Sequence, residues 1–203
     1  MRPRVVAAFG GLVLAAAPAA AAPAPKPRSA RLNGPFTMTG KVTKAVRIRG
    51  EHVGQKVRRA WTFTALCPSG ACTRVQLVRQ RQSGTDKLVL KRISPGYYEG
   101  NSKFYARLRC AGRTYYRGVS VPFTIQVHVT GAAMVGGIAM ATRIRASYTN
   151  RSRRNHTPCI FIPGHDAATY AGVPTAALPL TDAARAPVAA GTPAATSQSP
   201  AGN

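Results

Sequence analysis

The stretch VPFTIQVHVT, residues 121–130, alternates apolar and polar side chains along its length. Apolar side chains stand at positions 125, 127 and 129, and polar ones at positions 124, 126 and 128. Because successive residues of a β-strand point to opposite faces of a sheet, this pattern predicts a strand with one face in the core and the other in solvent.

A second run, IAMATRIRASY at residues 138–148, follows a glycine-containing connection and predicts the strand that pairs with the first. By the same alternation we expect Ile138, Met140, Ile144 and Tyr148 to face inward. The two arginines of this run are expected to face outward.

Short runs rich in Val, Ile, Thr, Tyr and Phe, broken by Gly, Pro and Asn, fill most of residues 31–172. Alternation places Trp61 and Phe63 on one face, so both are expected in the same core. Seven or eight antiparallel strands in sequential hairpins favour an all-β domain, either a single antiparallel β-barrel or a two-sheet β-sandwich. The remaining predicted strands are residues 36–43, 58–66, 73–80, 87–93 and 102–110.

The flanks of this domain differ from it in composition. Residues 1–22 carry Arg2 and Arg4, an uncharged apolar body and four final alanines, which is typical of a cleaved secretory signal. Residues 23–30 form a Pro-rich spacer, and residues 173–203 form an Ala/Pro/Thr-rich tail that we expect to be disordered. The apolar stretch at residues 131–142 is too short to span a membrane. We therefore expect a secreted or envelope-associated protein without a transmembrane segment after cleavage.

Four cysteines, Cys67, Cys72, Cys110 and Cys159, follow the predicted signal. An even number in an exported chain predicts two disulfides. Three pairings are possible, and we favour Cys67 with Cys72 and Cys110 with Cys159, because the Pro-Ser-Gly-Ala turn brings the first two together. A zinc site is the alternative, but a second close pair of cysteines is missing from the sequence.

Charge is the most unusual property of the composition. The chain has 29 basic and 5 acidic residues, a formal net charge of +24, and removal of Arg2 and Arg4 leaves +22. This excess predicts salt-sensitive attraction to polyanions. The compositional bias of a GC-rich bacterial genome is an alternative explanation that the sequence leaves open.

Three Arg-apolar-Arg triplets and one arginine-rich loop are the candidates for anion binding. Residues two apart on a strand share a face, so each triplet would send two guanidiniums to solvent about 7 Å apart. Guanidiniums bind phosphate and carboxylate oxygens in forked pairs. An ordinary solvated outer surface is the alternative. The candidates are Arg47, Arg49, Arg107, Arg109, Arg143 and Arg145 in the triplets, and Arg151, Arg153 and Arg154 in the loop.

The sequence contains few residues in patterns that indicate a catalytic function. His165 and Asp166, with His156 nearby, are the best fragment for a general base, but adjacent residues point apart in an extended chain. Asp166 is better interpreted as a loop or N-cap residue before residues 167–170. We favour a protein that is not an enzyme, and we assign no catalytic residue, metal or cofactor. The other acidic candidates, Glu51, Asp86 and Glu99, fall in apparent turns.

These patterns lead to one main function hypothesis and two alternatives. The main hypothesis is an exported cationic binding domain that contacts an anionic wall polymer or lipid surface through arginine-rich strand faces. One alternative is a barrel that holds a small apolar ligand, and the other is an enzyme or enzyme inhibitor that uses the loop at residues 150–166. Nucleic acid is not a predicted partner, since no fingerprint of a nucleic-acid module is present. The sequence leaves the ligand and the oligomeric state open.

Overall fold

A computed structural model describes residues 23–81 and 84–176 of the chain, and within them the protein is almost entirely β-structure. The predicted signal at residues 1–22 and the part of the predicted tail beyond residue 176 lie outside the described residues. The elements are a 3-10 turn η1 (Pro27–Ser29) and strands β1 (Gly34–Val46), β2 (Lys56–Ala65), β3 (Arg74–Arg81), β4 (Gly84–Ser94), β5 (Tyr97–Cys110), β6 (Arg113–Val135), β7 (Ile138–Asn150), β8 (Arg154–Asn155) and β9 (His165–Pro174).

Eight of these strands close into an antiparallel barrel, which confirms the barrel form of the prediction. Each strand from β1 to β7 pairs with the next one along the chain, including β5 with β6. Strand β9 lies between β7 and β1 and pairs with both, which closes the barrel. The short β8 adds to one side of β6 at residues 119 and 120. Closure joins the two edges that an open sheet would expose, so the backbone groups there pair with a neighbouring strand, although β5 pairs with β4 only at residues 97–99.

Alternation fills the barrel as predicted on β2 and β6. Trp61, Phe63 and Ile125 are almost completely buried, and the rings of Phe36 and Phe63 meet edge to face with centroids 5.4 Å apart. Each such aromatic side chain removes 150–250 Å² of surface from water in typical cores, so this cluster is a main source of stability.

The expectation for β7 is only partly correct. Ile144 and Tyr148 face inward as predicted, but Ile138 is 44% exposed. The register of β6 with β7 shifts on both sides of Gly131, and such irregularities move side chains from one face of a strand to the other. Inward and outward side chains therefore alternate strictly only in the later part of β7, from Ile144 to Asn150, after the residues that pair near Gly131.

Both disulfides form with the predicted pairing. Cys67 and Cys72 close the turn between β2 and β3, and Cys110 at the end of β5 is joined to Cys159 in the segment between β8 and β9. All four cysteines are used, so zinc has no thiolate ligands here. Two structural disulfides indicate an extracytoplasmic environment.

The predicted spacer contributes to the fold at its end. Pro27–Ser29 forms η1, Ala30 is buried, and the backbone of Arg31 bonds to Ala139 and Ala141 on β7. This segment lies across one end of the barrel. The opposite end, where β3 leads into β4, holds the cluster of charged side chains that we call the arginine end.

Candidate functional site

The interior of the barrel is polar at the arginine end. A cavity of about 210 Å³ opens there, and we call it the arginine cavity. Its lining includes four arginines, one glutamate, one aspartate and three aromatic rings, which come from separate strands and loops. The lining side chains used below are Glu51, Arg59, Arg79, Arg81, Phe104, Tyr148, Arg153, Asp166 and Tyr170.

Two arginines of β3 converge on one buried carboxylate of β4. Arg79 and Arg81 are two residues apart and so point to the same inner face. Arg79 Nε lies 2.7 Å from Asp86 Oδ2, and Arg81 Nε lies 2.9 Å from both oxygens of Asp86. The prediction that Asp86 belongs to a turn is wrong, because β4 begins two residues earlier and carries this side chain into the barrel.

Aromatic rings enclose these guanidiniums. Arg79 Cζ lies 4.1 Å from the centre of the Phe123 ring and 4.7 Å from that of Tyr148, and Arg81 Cζ lies 4.0 Å from that of Phe104. Cation–π contacts of this kind stabilise a desolvated cation by about 2 kcal/mol. They do not satisfy the N–H groups. Among residues 23–81 and 84–176, Arg79 Nη2 is buried and has no hydrogen-bond partner.

A second ion pair closes the cavity from the other side. Arg153 Nη2 lies 2.7 Å from Asp166 Oδ1, and Arg153 Nε donates to Asn150 Oδ1 over 3.3 Å. Asp166 is a buried residue of β9, so its interpretation as a loop or N-cap residue is wrong. The cause of the error is that β9 starts at His165, directly after Gly164, and the barrel needs this strand to close on β1.

Burial raises the pKa values of three titratable groups around the cavity, two phenols and one carboxyl. Burial raises the pKa of Tyr148, and the Asp166 carboxylate raises it further. Burial also raises the pKa of Tyr170. At the exposed rim, partial loss of solvent and then the nearby Asp166 raise the pKa of Glu51. The lining thus has four arginines and two acidic residues, and with Asp86, the ion-pair partner of Arg79 and Arg81, the four arginines still outnumber three acidic residues, so the charge balance is positive.

Such an arrangement presents mainly hydrogen-bond donors to the cavity. Guanidinium N–H groups and phenol hydroxyls all donate hydrogen bonds, and the two aspartates that could act as bases are already held by arginines. Charge-assisted hydrogen bonds from arginine to carboxylate or phosphate are shorter and stronger than neutral ones.

The nine arginines predicted to bind anions all lie in the described residues, but the structure does not bring them onto one face. Of them, only Arg153 lines the arginine cavity. Arg47 and Arg49 follow the end of β1, and Arg47 has a positive φ of 55°, so this triplet is not a strand as expected. Arg151, in the loop that also carries Arg153, and Arg154, at the start of β8, are both exposed.

The two remaining triplets do lie on strands, with their arginines exposed and Ile144 buried. They are far apart, however. Arg109 pairs with Thr114 at one end of β6, whereas Arg145 pairs with His128. These β6 positions are fourteen residues apart, from 114 to 128, which is about 46 Å along an extended strand.

The predicted histidine and aspartate fragment does not form a catalytic pair. His156 Nε2 lies 2.9 Å from Ser120 Oγ, while Asp166 is bound by Arg153. Among residues 23–81 and 84–176, no group of three or more His, Cys, Asp or Glu side chains is placed to hold a metal ion.

Tyrosines and arginines of the long β5–β6 hairpin contact each other. Arg117 Cζ lies 4.0 Å from the Tyr105 ring centre, and Arg107 Cζ lies 5.3 Å from that of Tyr116. The hydrogen bond from Arg117 and the nearby Lys103 lower the pKa of Tyr105. These rings are used within the hairpin, which does not favour them as stacking platforms for bases.

Comparison with known proteins adds no further constraint. No protein-family model matches the chain, and a search of curated proteins finds no match. Within the described part of the chain, no helix is long and apolar enough to cross a membrane.

Proposed function

We propose that this chain is an exported binding protein, not an enzyme, which receives an anionic group, a phosphate or a carboxylate, in the arginine cavity. The observation that carries the proposal is the buried Nη2 of Arg79, which has no hydrogen-bond partner in the part of the chain that the structure describes. A buried donor that is left unsatisfied costs about 1–3 kcal/mol, and more when it is charged. An oxygen of an anionic ligand would supply the missing acceptor.

The size of the cavity limits what enters it. At about 210 Å³ it is smaller than typical small-molecule pockets of roughly 300–1,000 Å³. The ligand therefore inserts an acidic group and keeps the rest of its body outside the barrel. An apolar ligand in the interior is less well supported, because Trp61, Phe63 and Phe36 already fill the middle of the barrel.

The charge of the whole protein supports the same function. The net charge of +22 on the predicted mature chain attracts polyanions over a distance of about 8 Å at physiological ionic strength. In the envelope, phosphate and carboxylate groups are carried by wall polymers and by lipid head groups. The arginine cavity would bind the anionic groups of wall polymers and of lipid head groups by the same contacts, so an experiment has to distinguish these two sources.

The test is calorimetric titration of the full mature chain with glycerol phosphate, with glycerol as the neutral control. We expect Arg79→Gln to weaken glycerol phosphate binding by about tenfold, since one charge-assisted hydrogen bond contributes about 1.5–3 kcal/mol. Asp86 retains Arg81 as a partner in this variant, so the fold should persist, which circular dichroism checks.

The matched control is the double variant Arg107→Gln/Arg109→Gln, which removes two exposed guanidiniums outside the cavity. It should bind as the parent protein does. Equal weakening in both variants, or equal binding of glycerol, would reject the cavity as the site. Retention on anionic liposomes against retention on wall preparations, over a salt series, then identifies the source of the anionic group.

A further inference from the structure

The outer wall of the barrel carries a second concave surface, away from the arginine cavity. A groove of about 1,010 Å³ lies over β7 and β9, and we call it the outer groove. Its floor is made of small side chains, Ser147 and Thr169, which are register partners, and Ala171 beside them. Taller side chains on the neighbouring strands form its two walls.

One wall is aromatic. Tyr97 of β5 and His128 of β6 are register partners, and their rings stack with centroids 3.8 Å apart at an angle of 10°. The stack holds the Tyr97 ring upright, and Tyr97 is still 42% exposed. Ile93, which is 62% exposed, extends this wall.

The other wall is cationic. Lys41 of β1 and Lys56 of β2 are direct register partners and both are exposed. Like charges directly opposite each other destabilise an antiparallel pair. Arg145 adds a third positive charge between the walls, and no carboxylate residue lines the outer groove among the described residues. An anion between the two lysines would relieve their repulsion.

From these contacts we infer that the outer groove binds a single chain of an acidic polysaccharide. The lysines and Arg145 would hold its carboxylate or phosphate groups. The hydroxyls of Ser147 and Thr169 would hydrogen-bond its hydroxyl groups, and the exposed ring of Tyr97 would pack against a sugar ring. The site is distinct from the proposed anion site, since Tyr170 is the only described residue that contributes to the linings of both.

The shape of the outer groove favours a polymer chain over a lipid. It is open to solvent along its length, so an acyl chain lying in it would keep much of its surface in water and gain little from burial. A planar membrane surface would meet the walls before the floor. A hydrated glycan chain enters the concave surface and tolerates contact with water on its outer side.

The probe is oligogalacturonate, a carboxylated glycan, titrated calorimetrically into the full mature chain at about 0.15 M salt, where weak long-range attraction is screened. A neutral malto-oligosaccharide of the same length is the ligand control. We expect Lys41→Gln/Lys56→Gln to weaken binding of oligogalacturonate by about tenfold, on the basis of up to 1 kcal/mol for each exposed charge pair. The matched control Lys87→Gln/Lys103→Gln removes the same charge elsewhere and should leave the affinity within about twofold.

Tyr97→Ala tests the aromatic wall, and we expect a loss of about fivefold, since a ring contact contributes about 0.5–1.5 kcal/mol. Tyr116→Ala, at a tyrosine that is 69% exposed on the hairpin, is its control and should have no effect. Circular dichroism shows whether each variant is folded.

Equal losses of oligogalacturonate affinity in the two double lysine variants would overturn the inference, because binding would then depend on the overall charge of the protein and not on the outer groove. Equal binding of the neutral malto-oligosaccharide would also overturn it. Retention on anionic liposomes that is lost in Lys41→Gln/Lys56→Gln would assign the groove to lipid instead. Arg79→Gln should bind oligogalacturonate normally, while the groove variants should bind glycerol phosphate normally. Failure of one site is therefore distinguishable from failure of the other.

Discussion

Arg79 and Asp86 are register partners of the β3–β4 pair, and their side chains meet inside the barrel with Arg79 Nε 2.7 Å from Asp86 Oδ2. Arg81 shares the same carboxylate. One acid therefore compensates two buried or half-buried cations, and the polar end of the barrel depends on it.

Asp86→Asn should be the most damaging conservative change at this end. Removing the charged partner of a buried ion pair typically costs about 3–5 kcal/mol, because the remaining charge stays desolvated. Urea denaturation followed by circular dichroism measures the loss. Glu99→Gln changes a carboxylate that bonds to Gln126 on the outer surface, and it should cost less than about 1 kcal/mol. Equal stability of Asp86→Asn and the parent would contradict this reading of the ion pair.

The two disulfides should differ in their contribution to stability. They close loops with sequence separations of 49 and 5 residues, and the chain-entropy relation gives about 4 kcal/mol for the longer and about 2 kcal/mol for the shorter. Cys110→Ser/Cys159→Ser should therefore unfold at a lower urea concentration than Cys67→Ser/Cys72→Ser. The reverse order would show that the Cys67–Cys72 turn is needed for more than loop closure.

Stability should fall at alkaline pH. Burial raises the pKa of Tyr98, Tyr148 and Tyr170 in the folded protein above the unfolded value of about 10. The unfolded chain then loses these protons first, so the stability that these tyrosines contribute is retained below about pH 10 and decreases above it, by up to about 1.4 kcal/mol per pH unit for each tyrosine.

Urea midpoints between pH 8 and 11 measure this decrease. Tyr148→Phe should make it less steep, and Tyr116→Phe, which removes an exposed hydroxyl, is the matched control. An unchanged slope in Tyr148→Phe would exclude Tyr148 as a contributor.

Gly40→Ala should disturb the seam where β1 and β9 close the barrel. A Cβ atom at Gly40 would overlap the carbonyl oxygen of Thr169 and crowd the Tyr170 ring at 2.8 Å. Overpacking of this kind typically costs about 1–3 kcal/mol. Calorimetric melting temperatures should show the loss, whereas Thr39→Ala, at the exposed neighbouring position, should change stability by no more than about 0.5 kcal/mol.

The barrel could be predicted from the sequence because apolar residues, which face its interior, alternate with polar residues along the strands. The same rule, applied to β3, already places Arg79 on the face of Val75 and Leu77, and on β4 it places Asp86 on the face of Leu88 and Leu90. The signal for the polar end was therefore present. It was missed because a buried arginine is rare and because Ser83-Gly84 resembles a turn.

Other features, which depend on pairing between distant strands, could not be predicted from local sequence patterns. The closing pair of β1 with β9 joins the two ends of the domain, and no short-range periodicity reports which distant strand is the partner. The small floor of the outer groove depends on the same register, since Thr169 and Ser147 become neighbours only when β9 lies beside β7.

Trp61 is the single tryptophan of the chain, and its ring lies 5.3 Å from that of Tyr170, which also lines the arginine cavity. The barrel thus contains one indole, whose fluorescence can be excited selectively over that of the tyrosines, shielded from water and one ring away from the proposed anion site. Its emission can report both the opening of the core and the filling of the cavity, so that ligand titrations need no attached dye.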